Sequence, residues 1–115
     1  MTTIVFEKDK SGRYLAFTCM GHVGYSKKRI FVREPDIVCS AVSALTFHTL
    51  NGLSEIAGEE ISVSENEETG FIRCLLPEEL KPESIVLLKA YELSLKELSG
   101  QYGDRFVKIQ SKEVE

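Results

Sequence analysis

Residues 21–45 read GHVGYSKKRIFVREPDIVCSAVSAL, in which an aperiodic loop joins a Gly-flanked histidine to a run of small and apolar residues. That run decides the fold. From Ile37 to Leu50 nearly every residue is apolar or small, which predicts a helix packed against a sheet rather than one lying loosely on the surface. Pro35 and Asp36 mark its start. Proline drives its predecessor out of the helical region, and an aspartate can accept the free N–H groups of the turn that follows. Asn51 and Gly52 are expected to close the helix, giving a span of 37–50. Ser40, Ala41, Ser43 and Ala44 are small enough to let a neighbouring backbone approach.

Hairpins flank this helix on both sides. Residues 3–8 alternate, with Ile4 and Phe6 on one face, and residues 9–12 (DKSG) supply turn chemistry. A second alternating run then places Leu15, Phe17 and Cys19 on one face. Residues 60–65, with Ile61 and Val63 inward, and residues 71–76, with Ile72, Cys74 and Leu76 on one face, form the second hairpin. Over 83–98, Leu87, Tyr91, Leu95 and Leu98 recur at helical spacing opposite Lys89, Glu92 and Lys96, and Ser99-Gly100 is the expected stop. Residues 105–110 form a last strand. The order ββαββαβ implies a single α+β domain over 1–115, with two helices covering one face of a mainly antiparallel sheet of about five strands.

A chain of 115 residues, 43% hydrophobic and 28% charged, can bury a core without disulfide staples. Three cysteines without an export signal imply reduced thiols. No apolar run approaches the roughly 20 residues of a membrane span, and the signal-peptide layout is missing, so a cytoplasmic location is expected. The net charge of -4 disfavours general nucleic-acid binding but suits a basic protein or peptide partner.

Cys39 follows the expected cap by three residues, which would place its sulfur in the first helical turn, where free N–H groups and the helix dipole favour a thiolate. Cys19 and Cys74 read as small core hydrophobes. A nucleophilic thiolate gains from an imidazole that later protonates the leaving amine. His48 lies nine residues along the same helix, on roughly the opposite side and about 13 Å further along the axis, so it cannot easily reach Cys39. His22 has no such bar, and Gly21 and Gly24 would let a substrate main chain come close. The bland readings stand beside these: Cys39 as packing, Asp36 as a helix cap, residues 27–29 (KKR) as a solvated loop. A metal site built on Cys19-x-x-His22 with Cys39 or Cys74 is a competing constellation, but no second closely spaced ligand pair exists. Phosphate-loop and dinucleotide fingerprints are absent.

GHVGY followed by DIVCSAVSAL resembles the ribosomal-processing cysteine protease (Prp) family, over nearly the whole chain. The resemblance implies a cytoplasmic, generally dimeric bacterial thiol protease that needs no cofactor or metal. Its substrate would be a large-subunit ribosomal protein, the twenty-seventh L protein, from which it removes an N-terminal extension. Neither direct nucleic-acid nor membrane contact is expected. On this resemblance the nucleophile falls on Cys39, the acid–base histidine on His22, and an orienting or capping aspartate on Asp36. Gly21, Gly24, Tyr25, Ser40 and Ser43 are expected to line the substrate. The alternative is a non-catalytic module that binds a ribosomal protein or ribosome precursor through the same groove. One departure stands out: family members carry a shorter, Gly-containing loop between the two blocks than residues 26–35 here.

Overall fold

The computed structural model describes residues 2–21, 34–66 and 68–114, with residues 34–36 described by backbone alone. Strand β1 (Thr2–Lys8) and strand β2 (Tyr14–Met20) form the expected antiparallel hairpin. Asp9 organises its turn by accepting hydrogen bonds from the Ser11 hydroxyl and from the N–H groups of Arg13 and Ser11. These bonds, the Ser11 hydroxyl foremost, hold its carboxyl down at about 2.

The pairing jumps from Glu7 opposite Ala16 to Lys8 opposite Tyr14, so Leu15 is an extra, bulged residue. Alternation alone predicts Leu15 inward; the bulge turns Tyr14 into the core instead and leaves Leu15 half-buried. Tyr14 then packs edge-on against Phe6, which also meets Phe17 and Tyr91. Burying each such ring contributes about 2–3 kcal/mol.

Helix α1 (Glu34–Asn51) starts three residues earlier than the sequence suggests. Pro35 is its second residue, a position where the missing N–H costs no hydrogen bond and the fixed φ already suits a helix. Nor do Asn51 and Gly52 end the helical path. It widens into a π-helical turn over Gly52–Ile56, where Ala57 N–H donates to the Gly52 carbonyl. A Cβ on Gly52 would come within 3.1 Å of Leu87 Cδ1, so this glycine serves close packing rather than termination. Val38, Val42, Thr46, Thr49 and Leu53 form the buried stripe. Contrary to the sequence expectation, Ile37–Ile56 is long and apolar enough to span a membrane by length and composition. In this fold its buried stripe is part of the protein core.

Strand β3 (Ser62–Asn66) and strand β4 (Phe71–Leu75) make the second hairpin. Val63 pairs with Cys74 and shares its side of the sheet, yet is 42% exposed, because β3 is an edge strand. The inward role expected for Val63 is therefore not realised; Cys74 and Ile72, one strand further in, are buried.

Helix α2 (Pro82–Tyr102) runs past Ser99-Gly100 and ends at Gly103, whose φ of 97° is open to glycine and costly for other residues. Its N-terminus has no cap of its own. The buried Glu59 supplies one from a distance, accepting from Lys81 N–H and the Ser84 hydroxyl. Leu88, Tyr91 and Leu95 are buried, while Leu87 and Leu98 pack at the margin. Glu92, expected on the outer face, is only 5% exposed. It is drawn inward by Lys8 Nζ at 2.9 Å and by the Tyr14 hydroxyl at 2.6 Å.

Strand β5 (Val107–Glu113) lies parallel to β1, with Thr2 opposite Val107. The five-stranded sheet has the order β3-β4-β2-β1-β5, and the other three pairings are antiparallel. The helices pack on the face carrying Ile4, Phe6, Phe17, Cys19 and Cys74, as an α+β fold requires.

Candidate active site

Period-two alternation puts Thr2, Ile4 and Phe6 on the helix-facing row of β1, and all three are buried. Thr2 heads that row. Its N–H donates to the Phe106 carbonyl at 2.8 Å, and its Oγ1 lies 3.6 Å from Cys39 Sγ. Cys39 flanks the buried Val38 on α1 and is itself only partly covered. Its sulfur thus lies at the margin between core and solvent, at the end of the sheet where β1 begins.

Another chain segment at that end is the exit of β2. Thr3 pairs with Met20, and Gly21 follows with φ of 73°, in the left-handed region open to glycine. His22 is the next residue. His22, Gly24, Tyr25 and the basic run at 27–29 lie outside the described residues. Asp36 is the third residue of α1, inside its first turn, and so does not hold the cap position ahead of the helix that the sequence suggests. Ser40 is exposed beside Cys39, whereas the Ser43 hydroxyl donates back to the Cys39 carbonyl at 2.9 Å. His48 is exposed on the same unbroken helix, nine residues from Cys39, so the geometric bar against their contact stands.

One expectation about Cys39 changes. Because α1 starts at Glu34, Cys39 is its sixth residue and sits in the second turn. The unpaired N–H groups and most of the dipole's pull belong to the first turn. The helix end is therefore a weaker source of thiolate stabilisation than the sequence suggests, and nearby side chains matter more.

The other two thiols are of a different kind. Burial pushes the Cys19 thiol up to about 11, with the nearby Cys39 adding to the rise and a Thr46 hydrogen bond opposing it. Burial pushes Cys74 up to about 12. Both are inert hydrophobes at neutral pH. Among the described residues no group of three or more His, Cys, Asp or Glu side chains is placed to hold a metal ion. Cys19, the first residue of the spacing that suggested one, is spent in the core.

The sequence reading passed over Thr2. The available signal was a hydroxyl at the head of a core-facing row, which needs a polar partner when buried.

The model of the cysteine protease Prp family matches residues 1–107. This chain belongs to that family. The ribosomal processing cysteine protease Prp of Bacillus subtilis (strain 168) is 28% identical over 94 residues, covering 78% of this chain and 80% of its own. SMU.848 from Streptococcus mutans shares the fold with a TM-score of 0.84 at 24% identity, covering 99% of this chain and 96% of its own. The ribosomal processing protease Prp from S. aureus, solved with a substrate peptide, gives a TM-score of 0.84 at 18% identity, over 97% of this chain and all of that one. The Prp family fold thus extends over essentially the whole chain, and the family to which the chain belongs is one of cysteine proteases.

Proposed function

We propose that this Prp family member is an endopeptidase of ribosome maturation, with Cys39 as nucleophile and His22 as its acid–base partner. The observation that carries the reading is the position of Cys39. It is the one partly covered thiol of the three, and it stands at the sheet end where Gly21 leads into His22. The relatives' names supply the substrate class: those from B. subtilis and S. aureus are named ribosomal processing proteases.

In the reaction the Cys39 thiolate attacks the scissile carbonyl to give a tetrahedral oxyanion, which nearby hydrogen-bond donors would stabilise. His22 donates its proton to the leaving amine as the acyl-enzyme forms. It then takes a proton from the water that hydrolyses the thioester, freeing Cys39 again. Asp36, in the first turn of α1, orients His22. Gly21, Gly24, Tyr25 and Ser40 flank the peptide. Ser43, whose hydroxyl already serves the α1 backbone, is a lesser contact. The protein substrate is the twenty-seventh L protein of the large ribosomal subunit carrying an N-terminal extension, and the enzyme acts in the cytoplasm as a homodimer.

Intact-mass measurement of that ribosomal protein before and after mixing tests the reading. The expected result is one product lacking its N-terminal segment, formed by the wild type and by neither Cys39→Ala nor His22→Ala, both folded. Retained cleavage in either variant sinks the assignment. Binding that survives Cys39→Ala, with no product from the wild type on long incubation, would instead indicate a non-catalytic binding module.

A further inference from the structure

We propose that Thr2 is a positioning residue for the nucleophile, its buried hydroxyl donating a hydrogen bond to the Cys39 thiolate and holding the sulfur in place. The inference rests on the reading of Cys39 as nucleophile. Thr2 belongs to neither sequence block that marks the site; β1 alone brings it there.

The geometry is specific. The Oγ1 to Sγ distance is 3.6 Å, within hydrogen-bonding range for sulfur, across 37 residues of chain. In the neutral pair either atom could donate; once the sulfur is a thiolate it can only accept, so the hydroxyl becomes the donor. Thr2 is held on three counts. Its N–H is bonded to the Phe106 carbonyl, its strand pairs with β2 on one side and β5 on the other, and the residue is 2% exposed. A β-branched side chain on such a backbone has little rotamer freedom, so the donor is set before any substrate arrives. Burial also keeps water from competing for that bond, which strengthens it.

The position of Cys39 in the second turn of α1 gives this donor its importance. A hydrogen bond made to the charged form of a group favours that form. The hydroxyl therefore supplies part of the stabilisation that the free N–H groups of the first turn are too far along the helix to give. A threonine at this place also fixes which way the sulfur faces, toward the end of the sheet where β1 begins.

The test reads the thiol and not the product. The pH dependence of iodoacetamide labelling at Cys39, located by peptide mass mapping, is measured in the wild type, Thr2→Val and Thr2→Ser. Valine keeps the shape and removes the donor; serine keeps the donor. Thr2→Val is expected to raise the labelling midpoint by about half to one pH unit, and Thr2→Ser to restore it. The midpoint of the pH profile of kcat/KM should move with it. A purely structural role would lower Tm and leave both midpoints in place.

A wild-type measurement keeps the inference falsifiable if Thr2→Val does not fold. The Thr2 γ-methyl NMR resonance should titrate with the Cys39 labelling midpoint and become flat in Cys39→Ala. An unshifted midpoint in Thr2→Val, a shift that Thr2→Ser fails to reverse, or a wild-type methyl signal indifferent to the thiol would each overturn the inference. These outcomes are separate from the fate of the protease reading, which fails on retained cleavage by Cys39→Ala whatever Thr2 does.

Discussion

The two ends of β1 each carry a polar contact to a helix, Lys8 to α2 and Thr2 to α1, and the two are built differently. At the Lys8 end, the Glu92 carboxylate receives Lys8 Nζ at 2.9 Å and the Tyr14 hydroxyl at 2.6 Å, with Lys96 Nζ at 3.5 Å. Burial alone would raise this carboxyl, but the bonds from Tyr14 and Lys8 outweigh it and hold it below its ordinary range. The cluster joins β1, β2 and α2 and leaves the charge well satisfied. At the Thr2 end, a hydroxyl meets a sulfur that is only partly covered. The first arrangement ties a buried charge to three elements; the second leaves a thiol within reach of solvent. A protein of this size can tolerate a partly covered thiol at one end because the same strand is firmly tied at the other.

The sharpest way to break the comparison is chemical. Iodoacetamide on the native protein should label Cys39 faster than Cys19 and Cys74 by on the order of 100-fold or more, since burial holds the latter at about 11 and about 12. Peptide mapping along a labelling time course reads this directly, and equal rates would mean that the Thr2 end is no more reactive than the core.

Removing the carboxylate at the other end tests its structural role. Glu92→Ala leaves the Lys8 ammonium and the Tyr14 hydroxyl without their partner and should cost about 2–4 kcal/mol in urea unfolding. At temperatures where the variant remains folded, Cys39 labelling should be unchanged. A loss below about 0.5 kcal/mol, the size of a neutral surface change, would show that the cluster does not hold the strands together.

The smallest effect is a pH dependence. The Glu92 carboxyl is held lower in the folded chain than its ordinary 4.5. Its contribution is therefore fully present above that value and is lost as pH falls through the folded one. The stability gap between the wild type and Glu92→Gln should be widest near neutral pH and narrow as the pH falls below about 4, the ordinary carboxyl range. A gap that widens on acidification would contradict the pairing.

Much of this architecture can be read locally. Alternation identifies β1, β2 and β4 and places Ile4, Phe6, Phe17, Cys19, Ile72 and Cys74 in the core, because a side-chain period of two depends only on the backbone. Helical spacing finds both helices and the inward side of Tyr91 and Leu95. Local rules misplace the features that depend on neighbours. The bulge at Leu15 exchanges it for Tyr14, and an edge position exposes Val63 despite its inward side. Pro35 is a boundary residue in isolation yet sits within the first turn of α1, and Gly52 is a packing residue against Leu87.

The site divides in the same way. The sequence by itself determined that one thiol stands apart from two core cysteines, and that a Gly-flanked histidine precedes it across a long loop, because residue type and local period suffice for that. Only the tertiary structure decided that Cys39 lies in the second turn of α1 and that Glu92 is buried. It also brought a hydroxyl from residue 2 to the sulfur of residue 39. A contact across 37 residues leaves no periodic trace in the chain, since it is made by the register of β1 within the sheet and the packing of α1 across it.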